Sequence, residues 1–102
     1  MTHHTLDRAA LKFLRSLAHG LKPVVRLGQN GFTDAVAREL DIALDRHELV
    51  KVKLAAEDRE ARDAQLETLA NAVDGTIVQR IGHTATLYRA HPERPRIDPR
   101  GG

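Results

Sequence analysis

Residues 23–34 read Pro23-Val24-Val25-Arg26-Leu27-Gly28-Gln29-Asn30-Gly31-Phe32-Thr33-Asp34. The apolar run Val24, Val25 and Leu27, interrupted by Arg26, predicts a short strand over 24–27. Val25 and Leu27 fall on one side of it, Val24 and Arg26 on the other. The tetrad Gly28 to Gly31 predicts a tight loop. Thr33 as N-cap and Asp34 in the first turn predict a helix running to about Arg46. A strand that passes through a G-x-x-G loop into a helix gathers backbone N–H groups at a helix N-terminus, where the dipole favours an anion. The glycines let the chain turn and let a ligand approach with no Cβ in the way. A nucleic-acid phosphate is the ligand expected there, although a G-x-x-G tetrad by itself most often marks only a turn.

Upstream, Leu6, Ala10, Phe13, Leu14 and Leu17 recur at helical spacing and predict a helix over 6–18, with Thr5 as N-cap. Gly20 ends it and Pro23 keeps it from resuming. Arg8, Lys12, Arg15 and His19 form a basic stripe, compatible with a phosphate-facing surface and equally with a solubilising one. Downstream, Val36, Leu40, Ala43, Leu44 and His47 share a helical stripe. His47 is expected to be a partly buried helix-end residue, since no second metal ligand lies near it in sequence.

Residues 49–55 alternate, so Val50, Val52 and Leu54 should face the core and Lys51 and Lys53 the opposite side. Those lysines could meet phosphates or merely solubilise. Asp58 caps a third predicted helix whose apolar face is Ala61, Leu66, Leu69, Ala70 and Val73, with Gly75 as the C′ residue. Its acidic first half reads as a solvated, dipole-compatible helix start rather than as paired catalytic acids. Residues 76–81 and 84–89 are β-rich and joined by Gly82-His83, a Gly-X loop suited to a type II′ hairpin. From Ala90 onward the chain is Pro- and Arg-rich, and residues 90–102 are expected to be a loose basic tail beyond a domain spanning 1–89.

With 102 residues the chain is long enough for one domain. The absence of cysteine excludes disulfides and thiolate chemistry. No apolar stretch approaches membrane-spanning length, so a cytoplasmic protein is expected. The net charge of +2 is unevenly spread: +4 over residues 1–27, −5 over 28–75 and +3 over 76–102. This predicts one basic and one acidic surface. Phe13, Phe32 and Tyr88 are the only aromatics, so base stacking on a sheet has no platform, and any RNA contact should rest on the backbone and phosphates.

The element order α-β-α-β-α-β-β predicts a compact two-layer α/β domain. Its four-stranded mixed sheet should be mostly parallel, with an antiparallel partner added by the final hairpin and one face potentially open.

His19-x-Leu21-Lys22-Pro23-Val24-Val25, followed by Gly28-x-Asn30-Gly31-x-Thr33, resembles the CRM domain (chloroplast RNA splicing and ribosome maturation) in its stand-alone bacterial, YhbY-like form. His47-Glu48-Leu49-Val50-Lys51-Val52-Lys53, Asp58-Arg59-Glu60, and Ile81-Gly82 through Leu87-Tyr88-Arg89 carry the same resemblance, which spans about residues 6–89. It implies an RNA-binding module associated with ribosomal RNA of large-subunit precursors. It implies a sheet like that in the C-terminal domain of a bacterial translation initiation factor, and a loop that contacts RNA as in KH domains. The loop positions are Gly28, Gln29, Asn30 and Gly31. Lys22, Lys51 and Lys53 match basic family positions, and Arg8, Lys12 and Arg15 join them as the helix stripe. Arg26 and Arg80 fall where the family varies, so only charge speaks for them.

Two other readings stay open: a general RNA-binding or translation-associated protein with no assembly role, and a protein-interaction module using the acidic middle. An enzyme finds no support, because the chain has no P-loop, no serine elbow (Ser16 is its one serine) and no metal spacing among its histidines. No catalytic residue, cofactor, metal or small-molecule substrate is expected, and a monomer is.

Overall fold

The computed structural model describes residues 6–28 and 30–99. The expected element order is observed: α1 Arg8–Ala18, β1 Val25–Arg26, α2 Asp34–His47, β2 Leu49–Lys53, α3 Arg59–Val73, β3 Thr76–Ile81 and β4 Thr84–Tyr88. The strands form one mixed sheet in the order β1-β2-β4-β3. Three strands run the same way, but only β1 and β2 pair in parallel, because β4 returns between β2 and β3 and pairs antiparallel with both. The hairpin therefore adds to the β2 side of the sheet through β4, and β3 becomes an edge strand.

Caps account for the helix starts. Thr33 Oγ1 accepts from the Val36 N–H at 3.2 Å, and Asp58 Oδ1 accepts from the Ala61 N–H at 2.8 Å. For α1 the cap is Asp7, whose Oδ1 takes the Ala10 N–H at 2.8 Å; Thr5, the expected cap, lies outside the described residues. At the end of α3 the left-handed residue is Asp74, with φ 56°, and Gly75 follows it. The Gly75 N–H closes the turn onto the Ala70 carbonyl at 2.9 Å, so the chain reverses one residue earlier than the glycine suggests.

Two cores result. On one face α2 and α3 pack Leu40, Leu44, Leu66, Leu69 and Val73 against Val25, Val50, Val52, Ala85 and Leu87. Fully burying one such leucine contributes roughly 1.5–3 kcal/mol. On the other face α1 lays Leu14 and Ala18 over Leu49, Val78 and Tyr88. The sheet face expected to be open is thus closed at one end by α1. Leu17, placed on the apolar stripe by its spacing, instead stays 41% exposed. His47, expected to be partly buried, is exposed at the end of α2. A bulge at Val78 shifts the β3 register between Ile77 and Gln79. It turns Val78 into the α1 core and leaves Gln79 on the same face beside Thr86.

The C-terminal segment is the main departure from expectation. Glu48 is fully buried at the end of α2 with φ 64°. Its carboxylate accepts backbone N–H groups from His91 at 2.7 Å, Arg96 at 2.8 Å and Ile97 at 2.8 Å. Ala90 and Ile97 pack on the α1 core. Residues 90–99 contain no helix or strand, yet they are tied to the domain, because a buried carboxylate can satisfy a chain segment that has no apolar pattern of its own. Burial, and behind it the nearby Glu48 and Asp98 carboxylates, pushes the Tyr88 hydroxyl above its ordinary pKa of 10.0.

The hairpin matches its reading. Gly82 has φ 58° while His83 does not have positive φ, as a type II′ turn requires. A Cβ at Gly82 would meet no atom within 4 Å, so the backbone alone makes a side chain unwelcome. Gly82→Val should cost about 2 kcal/mol in urea denaturation, because a β-branched residue is strained in the left-handed region. A variant as stable as the parent would mean that the turn changes type at no cost.

Candidate nucleic-acid interface

The loop between β1 and α2 is a closed turn. The Gly31 N–H donates to the Gly28 carbonyl at 2.9 Å. The Val36 and Ala37 N–H groups are taken by Thr33, through Oγ1 at 3.2 Å and the carbonyl at 3.0 Å. Fewer N–H groups are therefore free to meet an anion than the sequence pattern suggests. Asn30 is exposed, and Gln29 lies outside the described residues.

The two glycines differ. Gly31 has φ 68°, and a Cβ there would stand 2.9 Å from Gln65 Nε2. The fold itself thus demands glycine at 31. Gly28 is exposed, its φ is not in the left-handed region, and a Cβ would meet no atom within 4 Å. Nothing inside the domain requires glycine there. A cavity of about 490 Å³, lined by Leu27, Gly28, Ala55, Ala56 and Gln65, opens beside it.

Gln65 is a residue that the sequence reading passed over. Its Oε1 accepts the Ala55 and Ala56 N–H groups at 3.3 and 3.2 Å, tying the chain after β2 to α3 beside the loop. The signal was present: Gln65 falls on the Ala61–Leu69 stripe of α3, where a polar side chain among apolar ones needs a partner.

The structure brings most of the basic candidates together. Val50 and Val52 of β2, with Leu54 just after it, enter the α2/α3 core, so Lys51 and Lys53 point to the α1 side of the sheet. Arg26 pairs in register with Lys53 on that side. Lys22 and Lys51 line one groove of about 320 Å³ with Leu21, Pro23, Gln79, Ile81, Thr84 and Thr86. Lys51 is half-buried, whereas Lys53 is exposed. Arg8, Lys12 and Arg15 are exposed on α1, which packs on this face and has no acidic residue between Arg8 and Ala18. Arg15 Nε donates to the Val78 carbonyl at 3.4 Å, which fixes the helix against β3.

The opposite layer is acidic. Asp34, Glu39, Asp41, Asp45, Glu60, Asp63 and Glu67 on α2 and α3 stand against Arg38, Arg46, Arg59 and Arg62. Arg89 and Arg80 serve the fold. Arg89 bonds Asp41 Oδ1 at 2.6 Å, Asp45 Oδ1 at 2.9 Å and the Val73 carbonyl at 2.7 Å, while Arg80 pairs with Asp63. Among the described residues, no ion pair engages Lys22, Arg26, Lys51 or Lys53. The domain thus has one face of unpaired cations and one of carboxylates, an arrangement that attracts a polyanion from one side only.

Known proteins share this architecture. The solution structure of a hypothetical protein from Staphylococcus aureus superposes with a TM-score of 0.81 at 30% identity, covering 92% of this chain and 98% of that one. A Haemophilus influenzae protein named as an RNA-binding protein is 44% identical over 89 residues, 87% of this chain and 90% of its own length. A Pseudomonas aeruginosa protein named as a probable RNA-binding protein is 44% identical over 88 residues, 86% of this chain and 85% of its own. The CRS1/YhbY (CRM) domain matches residues 6–89, from the residue before the α1 cap to the arginine that closes β4 onto α2, and with these relatives it shows that the chain belongs to the CRS1/YhbY (CRM) domain family.

Proposed function

We propose that this protein is an RNA-binding factor that grips structured RNA with its α1 face. The observation that carries the reading is the segregation of charge, with unpaired cations on α1, Lys22, Arg26, Lys51 and Lys53 and carboxylates on the α2/α3 layer. The names of the relatives support RNA as the polyanion. Lysines and arginines neutralise phosphates along this face. The Gly28–Gly31 loop closes on the RNA backbone beside it, with the Cβ-free edge of Gly28 as the point of approach. The CRM resemblance makes ribosomal RNA of the large-subunit precursor the expected target, with assembly of that subunit as the task.

Gel-shift titrations with large-subunit ribosomal RNA test this. Affinity should fall steeply as salt rises, since each phosphate neutralised adds roughly 0.7–0.9 to the slope of log K against log salt. Lys51→Ala with Lys53→Ala should flatten that slope by about 1 per lysine in contact, with little change in melting temperature. In a cell extract the protein should sediment with large-subunit precursor particles. A salt-independent affinity would reject the phosphate grip. Strong RNA binding without sedimentation on those particles would leave a general RNA binder in place of an assembly factor.

A further inference from the structure

The basic face also carries an apolar groove of about 500 Å³ where the end of α1 meets residues 21–24 and the start of β2. Leu17, Leu21, Val24, Leu49 and Ile97 form its walls. Leu17 and Val24 are 41% and 53% exposed, although Leu14 and Ala18 flank the first and Val25 and Leu27 follow the second as buried residues. Apolar side chains gathered in one exposed groove mark a surface that something covers. Its volume lies within the roughly 300–1,000 Å³ typical of small-ligand sites, enough for one base with its sugar.

The groove's setting identifies the occupant. Lys22 and Lys51 line this groove and also the adjoining polar one that runs over Gln79, Thr84 and Thr86. Neither lysine has a carboxylate partner among the described residues. The site is therefore apolar inside and cationic at the rim. A nucleotide brings both complements, a flat base with apolar faces and a phosphate on either side of it. A base held in a duplex cannot enter, because its faces are covered by its neighbours. In a domain with almost no Phe, Tyr or Trp, the aliphatic walls and the exposed His47 ring that lines the same groove take the place of a stacking platform.

We infer that this groove receives the base of an unpaired nucleotide in the bound RNA, with Lys22 and Lys51 holding the flanking phosphates. The inference rests on the RNA-binding reading above and adds a selectivity to it. A backbone grip does not sense base pairing, whereas a base slot makes the protein prefer RNA that offers an unpaired residue. One wall, Ile97, comes from the C-terminal segment outside the family-matched residues 6–89, and Glu48 holds it in place through the Ile97 N–H at 2.8 Å.

The test compares two RNA hairpins of equal length, one perfectly paired and one with a single bulged 2-aminopurine, bound to the full chain and to Leu17→Ser/Val24→Ser. Val24→Ser alone serves as a second variant should the double one melt early. The parent should favour the bulged RNA by roughly tenfold, the scale of one sequestered base. The variants should lose that preference while keeping their affinity for the paired hairpin and its salt slope. The 2-aminopurine fluorescence should change on binding the parent and not the variants. Equal affinity of the parent for both hairpins overturns the inference and leaves RNA binding standing. A preference that survives the substitutions also overturns it and returns the groove to a protein partner. Failure of the parent to bind either hairpin defeats the RNA reading itself, and the inference with it.

Discussion

Glu48→Ala is expected to destabilise the domain by roughly 3–5 kcal/mol, a large share of the ~5–15 kcal/mol that holds a typical domain together. The carboxylate is the acceptor for three backbone N–H groups, those of His91, Arg96 and Ile97. Its removal strands donors in the interior, each at a cost of about 1–3 kcal/mol where water cannot replace the bond. The melting temperature should fall by at least about 12 °C, since 1 kcal/mol moves a domain of this size by about 4–8 °C. Glu48→Gln should cost less. Its remaining carbonyl oxygen can still serve Arg96 and Ile97, but its amide N–H₂ would then confront the His91 N–H. Thermal unfolding of the parent and both variants gives the ranking. A Glu48→Ala protein within about 0.5 kcal/mol of the parent would mean that residues 91–97 are not held by this side chain in solution.

The second large effect separates the two loop glycines. Gly31→Ala should lower stability by about 2–3 kcal/mol. The left-handed conformation at φ 68° costs an alanine about 1–2 kcal/mol, and the new Cβ would stand 2.9 Å from Gln65 Nε2. Gln65 could swing away only by releasing the Ala55 and Ala56 N–H groups. Gly28→Ala should leave stability within about 0.5 kcal/mol of the parent, or raise it slightly, because its φ is ordinary and the Cβ meets open space. RNA affinity should fall in Gly28→Ala, by tenfold or so if a backbone contact worth about 1.4 kcal/mol is lost. A phosphate that approaches this backbone closely leaves no room for a methyl group. A Gly28→Ala protein that is stable and binds RNA normally would remove the loop from the interface and leave α1 and the lysine-bearing sheet face to carry it.

Much of the fold could be read along the chain, because helices and alternating strands are local patterns. The seven elements, the caps Thr33 and Asp58, the Gly82-His83 turn and the inward side of β2 each follow from residues within a few positions of one another. The family was legible for the same reason: its motifs are short, and their spacings are intact from residue 6 to 89. The sequence by itself determined the secondary structure and the basic ends around an acidic middle.

Tertiary structure alone decided what depends on residues far apart. Strand order is one case, since a hairpin can pair at the edge of a sheet or within it, and only packing places β4 between β2 and β3. The placement of α1 is another. Its apolar face was clear, but not that it would close one end of the sheet's second face and leave Leu17 exposed beside Val24. The ties on residues 91–97 are invisible to composition, which measures the apolar area that a stretch can bury, whereas Glu48 holds them by hydrogen bonds from more than forty residues away. The same distinction sorts the arginines. Charge counts Arg80 and Arg89 with Arg26, yet the first two meet carboxylates across the fold and Arg26 meets none among the described residues. A side chain's charge is local information, but whether that charge is already paired depends on what the chain brings back to it.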